Sequence, residues 1–196
     1  RAPGSNVAMT LTEAADKARA AGRRDLLRHR HEAVLTARSF PNGAHVAEVE
    51  VDPETGAVTV ERYTVTDDFG NLMHPMLVQG QIHGGVAQGL GQVLMENAAW
   101  DENGQLLTAT FMDYAMPRAA DVPFVAFSTE PVPTASNPLG MKGCGEAGTV
   151  GALAAISNAV LDALAPLGVR DVELPCTPQR VWEWIEEAKG KGAVPA

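Results

Sequence analysis

This chain of 196 residues has few aromatic side chains, few cysteines and an excess of negative charge. Aromatic residues make up 5% of the sequence, too few for the stacking platforms that bind single-stranded nucleic acid. The 24 acidic residues outnumber the 15 basic ones, and the net charge of -9 disfavours contact with phosphate backbones and anionic lipid surfaces. We therefore expect no nucleic acid and no membrane among its partners.

The two cysteines, Cys144 and Cys176, stand far apart and form no C-x-x-C pair. Their spacing suggests neither a zinc site nor a disulfide framework, and it suits a reducing, cytoplasmic setting. The sequence shows no apolar segment of the signal-peptide kind, and we expect no stretch to reach the roughly 18 apolar residues of a membrane span. With 45% hydrophobic and 20% charged residues, the composition is that of an ordinary globular domain.

The N-terminal part of the chain combines a helix signal with a basic run. Thr10 and Glu13 have the spacing of a capping box, which predicts the start of a short helix. Residues 23–31, RRDLLRHRH, are interpreted as a solvated face or as an interface with an acidic partner. His29 and His31 are metal-ligand types, but on a helix their spacing points them apart, so no metal site is predicted there.

Hydrophobic patterns over the rest of the chain predict an α+β fold, in which antiparallel hairpins pack with helices. Residues 44–51 and 57–65 alternate apolar and polar side chains around a turn at 52–56, as a β-hairpin does. The further predicted elements are a helix from Pro75 to about residue 97, a second hairpin of residues 100–107 and 107–114, a strand at 124–129, a helix at 149–165, a strand at 169–174 and a last helix capped by Thr177. The predicted domain is 40–188, preceded by a helical segment, 1–39, and followed by a tail, 189–196.

The helix after Pro75 carries five glycines, a destabilising load for a helix without a special duty. At about 100° per residue, its large apolar side chains share one face, and its glutamines lie on the other with Gly84 and Gly85 among them. The core face holds Ile82, Val86, Leu90 and Val93, and the opposite face holds Gln81, Gln88 and Gln92. The glycines allow close approach of another helix or of a ligand, and glutamine amides suit a heteroaromatic or phosphate-bearing cofactor. The pattern leaves both interpretations open.

A single carboxylate lies in a glycine-rich segment, KGCGEAGTVG, at residues 142–151. The apolar helical pattern that follows places Glu146 at or just before a helix N-terminus, where unpaired amides favour an ionised carboxylate. Such a group has the properties of a general base, although acidic residues and glycines are also common in first turns for structural reasons. Gly143-x-Gly145-x-x-Gly148 has the letters of a dinucleotide-binding motif, but the residues before it make a poor strand. Neither a P-loop nor a nucleophile elbow is found.

Four segments carry a family resemblance when they are taken together. They are FPNGAHVAEV at 40–49, QGQIHGGVAQGLGQ at 79–92, FMDYAMPR at 111–118 and NPLGMKGCGEAG at 137–148. The set resembles the molybdenum-binding subunit of the xanthine dehydrogenase family of molybdenum hydroxylases, and in particular the large subunits of the aerobic carbon monoxide dehydrogenase type. The resemblance extends from about residue 40 to residue 185 and implies a fold like the second molybdenum-cofactor-binding domain of these enzymes.

The resemblance also implies roles for individual positions. Glu146 occupies the place of the family's catalytic base beside molybdenum, and Gln81 that of a glutamine that contacts the pterin. The implied cofactor-binding residues are Gln81, Gly80, Gly84, Gly143, Cys144 and Gly145. The implied cofactor is molybdenum bound to molybdopterin cytosine dinucleotide, and no residue of this chain is expected to ligate the metal. Phe69, His74 and Cys144 depart from the family's usual cysteine, asparagine and valine, so the packing near the Gln81 helix is expected to differ.

The implied activity is the oxidation of an aldehyde, an N-heterocycle or carbon monoxide, with water as the oxygen source. The implied partners are an iron–sulfur subunit, an FAD subunit and a small-molecule substrate, in an oligomer. Family subunits are several times longer, so this chain is expected to be the C-terminal portion of one, completed by the rest of the large subunit or by an upstream chain. The alternative is a non-catalytic interaction or cofactor-carrier module derived from the same domain.

Overall fold

The computed structural model describes residues 4, 6, 8–32, 34 and 37–190. The chain forms two compact units, Arg1–Thr36 and Ala37–Ala196. The helix after Pro75 and the glycine-rich segment at 142–151 both lie in the second unit.

The first unit contains helix α1 (Leu11–Ala20) and a 3-10 turn at Arg24–Leu27. The predicted capping box is confirmed: the Glu13 N–H donates to Thr10 Oγ1 at 3.2 Å, and the Thr10 N–H donates to Glu13 Oε2 at 2.7 Å. No residue of α1 is buried, so its stabilisation is local and includes this capping box and an exposed ion pair between Asp16 and Arg19.

The predicted hairpin is confirmed as strands β1 (Asn42–Val51) and β2 (Val58–Asp68), which pair antiparallel. The register shifts by one residue between Glu48 and Val49. On β2 the residues at every second position from Tyr63 to Asp67 are buried, so this end of the hairpin turns one face toward the helices. The alternation that predicted the hairpin therefore also defines its inner face.

A third strand, β3 (Val125–Thr129), confirms the strand predicted at 124–129, but it pairs parallel to β2. The strand order is β1-β2-β3. A parallel pair needs a long crossover, and helix α2 (Pro75–Leu94) lies in the connection between the two strands. The sheet is thus an antiparallel hairpin extended by one parallel strand.

Two predicted β elements are wrong. The second hairpin forms its turn, where Asp101 accepts from the Gln105 N–H, but only an isolated bridge joins Trp100 and Leu106. Residues 107–114 turn back on themselves, as the Tyr114 N–H bonds to the Thr110 carbonyl, instead of extending along a partner. Residues 169–174 form no strand, since in the described part of the chain they pair with no strand edge.

Three helices complete the second unit. Helix α2 begins at Pro75, as predicted, and ends at Leu94, earlier than predicted. Helix α3 (Ala147–Leu164) packs against both α2 and β1. Helix α4 (Pro178–Gly190) follows Thr177 and extends into the predicted tail, whose residues 191–196 lie outside the described part. The fully buried core side chains include Val65, Ile82, Val86, Leu90, Val93, Ile156, Val160, Leu164, Val181 and Ile185.

The segment Ala147–Leu167, which contains α3, is long and apolar enough to cross a membrane by length and composition alone. This corrects the expectation that no stretch reaches that length. Here α3 packs against α2 and β1 and buries residues at every fourth position, including Ala152, Ile156, Val160 and Leu164. A core helix of a globular domain passes the same composition test, so the finding is weak evidence for a membrane span.

Candidate active site

The segment that leads into α3 is fixed before it reaches Glu146. Lys142 forms an ion pair with Asp68 at the end of β2, and the two side chains are only 10% and 13% exposed. Asp68 Oδ1 also accepts from the backbone N–H groups of Gly70 and Val132, each at 2.8 Å. These contacts, chiefly the one with Lys142, lower the pKa of Asp68 to about 2. Asp68 is therefore ionised at neutral pH and ties the segment to the sheet.

A turn around Asn137 continues this attachment. Asn137 Oδ1 accepts from the backbone N–H groups of Leu139 and Met141 at 3.1 and 3.2 Å, and its amide donates to the Met141 carbonyl at 2.8 Å. Gly140 has a φ of +66°, and its carbonyl accepts from the Asn71 N–H at 3.0 Å. The chain therefore enters the glycine-rich segment from a defined direction.

Glu146 is the N-cap residue of α3, where the sequence placed it. Its backbone carbonyl accepts the N–H of Val150 at 3.0 Å, while its side chain makes no capping bond and is exposed. The carboxylate thus lies close to the positive end of the helix dipole without being used to cap the helix. It is free to face a bound molecule.

Glu146 lines a cavity of about 720 Å³ between the start of β1, the end of β2 and the start of α3. Its walls are formed by Ser39, Phe40, Pro41, Asn42, Gly43, His45, Asp67, Gly143, Cys144, Gly145, Glu146, Ala147, Val150 and Gly151. Four of the residues predicted for the site, Gly143, Cys144, Gly145 and Glu146, therefore meet in one wall. A cavity of this size can hold a ligand of cofactor or substrate dimensions.

A buried acid–base group, which we call the His45 array, consists of His45, Tyr63 and Asp67, and two of its members, His45 and Asp67, line the cavity. His45 Nδ1 lies 2.7 Å from the Tyr63 hydroxyl, and His45 Nε2 lies 3.4 Å from Asp67 Oδ1. The side chains of His45 and Asp67 are 7% and 2% exposed. Burial, and secondarily the charge of Asp67, raise the pKa of Tyr63 far above its ordinary value. Tyr63 therefore remains protonated.

Register explains how the array forms. His45 is paired with Val65 across the hairpin, so Tyr63 and Asp67 are its two diagonal neighbours on the same face. Two glycines leave room for it: a Cβ atom on Gly43 would collide with the Asp67 carboxylate, and one on Gly151 would collide with the His45 ring. Gly43 of β1 and Gly151 of α3 thus provide the space that the side chains of Asp67 and His45 occupy.

Sequence reasoning did not assign a role to the array. A signal was present, since His45 and Asp67 are polar residues at positions where the alternation points inward. Their partnership depends on the hairpin register, because 18 and 22 residues of numbering separate His45 from Tyr63 and Asp67. An inward histidine and an inward aspartate could each have been flagged, but not as one group.

The sequence left open whether the glycines of α2 allow close approach of another helix or of a ligand, and the structure shows both kinds of position. A Cβ atom on Gly85 would lie 2.8 Å from the Thr149 nitrogen and 2.9 Å from the Gly148 Cα, so this part of α2 receives another helix. The Thr149 hydroxyl donates to Gln88 Oε1 at 3.1 Å across the same contact. At Gly84, by contrast, a Cβ atom would meet nothing within 4 Å.

Gln81, Gly80 and Gly84 are exposed on α2 and do not line the cavity. A Cβ atom on Gly80 would also meet nothing within 4 Å. The contact of Gly85 with Gly148 nevertheless joins the two groups of predicted residues, because Gln81 lies one helical turn before Gly85 and Glu146 lies two residues before Gly148. The structure therefore places an open glycine–glutamine surface on α2, which packs against the helix that borders the cavity.

Several known proteins are similar to this chain in sequence and in fold. The nicotine 6-hydroxylase large subunit from Paenarthrobacter nicotinovorans is 44% identical over 142 residues, which are 72% of this chain and 17% of that subunit. The crystal structure of quinoline 2-oxidoreductase from Pseudomonas putida 86 matches with a TM-score of 0.73 and 43% identity, covering 75% of this chain and 19% of that one. Reconstituted CO dehydrogenase from Oligotropha carboxidovorans matches with a TM-score of 0.74 and 32% identity, covering 77% and 19%. This chain spans less than a fifth of each relative.

The family profile of the molybdopterin cofactor-binding domain matches residues 6–123. That range contains β1, β2 and α2, and with them Gln81 and the His45 array, while the Glu146 segment follows it. The solved relatives extend the similarity to about three quarters of the chain. The predicted resemblance is confirmed: this chain belongs to the molybdopterin cofactor-binding domain family and has the α+β fold of the molybdenum-binding domains of molybdenum hydroxylases.

Proposed function

We propose that this chain supplies the catalytic base, and part of the cofactor-binding surface, of a molybdenum hydroxylase that oxidises a small molecule with water as the oxygen source. The observation that carries the proposal is the position of Glu146. Its exposed carboxylate stands at a helix N-terminus, on an anchored segment, in the wall of a cavity of about 720 Å³. A general base needs this combination of access, fixed position and an environment that tolerates negative charge.

The residues present fit a pterin-type cofactor. Gly80, Gly84, Gly143 and Gly145 present bare backbone, since a Cβ atom on any of them would meet nothing within 4 Å. Such backbone can approach a flat, polar ring system closely, and the Gln81 amide adds one donor pair and one acceptor. When bound, the cofactor supplies two-electron redox chemistry at molybdenum. We assign it the cytosine dinucleotide form, with Cys144 among the residues that border it.

Glu146 acts in this scheme by accepting a proton on a carboxylate oxygen. The N-terminus of α3 places the positive end of the helix dipole beside this carboxylate. Gly143 and Gly145, on either side of Cys144, let the segment follow the ligand without side chains of their own. The chain thus orients the base and moves the proton.

The substrate class that we propose is an aldehyde, carbon monoxide or, with the best support, an N-heterocycle. The relatives named for nicotine and quinoline are 44% and 43% identical to this chain, and the CO dehydrogenase is 32% identical. Nicotine and quinoline are both nitrogen heterocycles. We therefore expect the assembled enzyme to act on a ring carbon next to nitrogen.

The proposed partners are those that the family resemblance implies. The two cysteines of this chain do not have the spacing of iron–sulfur ligands, and we propose that electrons leave through an iron–sulfur subunit and an FAD subunit. The rest of a large subunit, or an upstream chain, would close the pocket, within an oligomer. Cys144 and Cys176 are free thiols, which supports a reducing, cytoplasmic location.

The test is Glu146→Gln in the assembled complex. Gln has nearly the same shape but cannot accept the proton, so we expect kcat to fall by about 10² to 10⁴ or more while molybdenum content stays at the wild-type level. Steady-state kinetics and elemental analysis of the same preparation measure both. Glu61→Gln, an exposed carboxylate on β2 outside the cavity wall, is the matched control. Near-normal turnover by the Glu146→Gln complex with full metal content would refute the assignment.

A further inference from the structure

Burying the His45 array is expected to lower the stability of the fold, and the role of Glu146 as base does not explain why the array is there. Burying an ionisable group lowers stability unless it is fully paired. Here Asp67 Oδ2 is buried without a hydrogen-bond partner, and Oδ1 has only the long contact of 3.4 Å with His45. An under-satisfied carboxylate in a cavity wall indicates a function beyond packing.

The charges that face the cavity come from each element that forms it. β1 contributes His45, β2 contributes Asp67, and the segment before α3 contributes Cys144 and Glu146. Tyr63 stands behind the ring of His45 and stays protonated. The described residues of the wall include no lysine and no arginine. Among these wall residues, His45 is thus the one side chain that can become cationic, and Asp67 and Glu146 are the two carboxylates.

A steric contact connects the array to the helix of Glu146. The ring of His45 lies directly against Gly151, the fifth residue after Glu146 along the chain, so closely that a Cβ atom on Gly151 would collide with it. The ring is held edge-on to Tyr63, at an interplanar angle of 81°. A movement of His45 would therefore shift the first turns of α3.

We infer that His45, held between Tyr63 and Asp67, is a positioning residue for Glu146: it seats the start of α3 at Gly151 and offsets the negative charge that Asp67 brings to the cavity. The inference rests on the proposed function of Glu146 and deepens it. In this inference, His45 and Asp67 on the buried face of the hairpin determine the electrostatic surroundings of the Glu146 carboxylate. Asp67 and His45 act in opposite directions on the same carboxylate.

The first test measures the pH dependence of kcat in the assembled complex. Asp67→Asn removes a negative charge from the cavity wall, so the acidic limb of the profile should move to lower pH. His45→Gln keeps hydrogen-bonding groups but cannot carry a charge, so the limb should move up. Tyr63→Phe is the control: it loosens the array without changing charge and should lower Tm while leaving the limb in place.

A second readout uses no cofactor and no turnover. In complex produced without molybdenum, the rate at which iodoacetamide alkylates Cys144 is followed at fixed pH by peptide mass spectrometry. The thiolate reacts, so less negative charge should speed alkylation several-fold in Asp67→Asn, and His45→Gln should slow it. Cys176 is an internal control, because it is buried and burial raises its pKa to about 11.

Opposite shifts of the two variants in both readouts support the inference. Any other result, including a fall in Tm alone, overturns it. The proposed function fails separately: if Glu146→Gln stays active, the base assignment is wrong whatever Cys144 shows. If Glu146→Gln is inactive and the alkylation rates of all variants match wild type, only the role of His45 is refuted.

Discussion

Asp68 shows how a residue with no chemical task can decide where a functional one lies. It receives the Lys142 ammonium and two backbone N–H groups, and so fixes the segment four residues before Glu146 to the end of β2. An exposed ion pair contributes little to stability, but this pair is largely removed from solvent. Its hydrogen bonds are charge-assisted, which makes them stronger than neutral ones.

We predict that Asp68→Asn lowers the free energy of unfolding by about 1–3 kcal/mol at pH 7. The folded-state pKa of Asp68, about 2, is below its ordinary value near 4, so its contribution is complete above about pH 4 and is lost as the pH falls through 2. Urea unfolding at several pH values should show the wild type and Asp68→Asn converging in acid. A constant difference between them down to pH 2 would contradict this account.

Single residues also show where sequence reasoning succeeded and where it stopped. The N-cap position of Glu146 followed from the glycines before it and the apolar period after it, both of which are local signals. The His45 array depends on the pairing of His45 with Val65, which no local pattern specifies. Helix capping can be predicted from residues that are close in sequence, whereas predicting contacts across a hairpin requires knowledge of its register.

Among the elements, α2 and α3 depend on each other through glycine. Gly85 and Gly89 of α2 lie against Gly148 and Ala152 of α3, close enough that a methyl group on either α2 glycine would meet the other helix at 2.8 Å or less. This contact brings the start of α3, with its N-cap residue, onto the helix that carries Gln81. Close helix approach is one of the few benefits that offset the cost of glycine within a helix.

We predict opposite effects for two neighbouring substitutions. Gly85→Ala places a methyl group against backbone atoms that cannot rotate away, and should lower the free energy of unfolding by about 1–3 kcal/mol. Gly84→Ala meets open space and should raise it by up to about 1 kcal/mol, because alanine favours the helix. Chemical denaturation of both variants measures the difference. Equal stability of the two would show that the α2–α3 contact has room for a methyl group at Gly85.

The elements predicted from long patterns are confirmed by the structure. Regular alternation gave the first hairpin, and a helical period gave the core face of α2, including Ile82 and Val86. The predicted second hairpin had a good turn at Asp101 but no partner for residues 107–114. The parallel pairing of β3 was not predicted either, because it depends on a crossover of more than fifty residues.

At the scale of the whole molecule, the proposed function gives this chain one side of a binding surface. The chain spans less than a fifth of the relatives it matches, and Cβ atoms on Gly80, Gly84, Gly143 and Gly145 would meet nothing within 4 Å. A pterin cofactor enclosed on one side only would lose much of the buried contact that usually holds a ligand. We therefore expect stable loading to require further polypeptide.

We predict that the chain purified alone contains no molybdenum, and that co-expression with the chains completing the complex brings metal into it. In that complex Gln81→Ala should lower molybdenum content several-fold with little change in Tm, because it removes a ligand contact from an exposed position. Gln92→Ala, an exposed glutamine farther along the same helix, is the control. Elemental analysis per mole of protein decides the matter. Equal metal in the Gln81→Ala and wild-type complexes would exclude the pterin contact.

The meeting of Gly85 and Gly148 also limits how this protein can change over evolutionary time. Most tight contacts in a core can be traded, since a larger residue on one side is accommodated by a smaller one opposite. Here both partners already have the smallest side chain, and a Cβ atom on Gly148 would lie 2.6 Å from the Ile82 carbonyl oxygen and 3.1 Å from the Gly85 Cα. No compensating substitution at the other position exists. Either both glycines are retained or the close contact between α2 and α3 is lost.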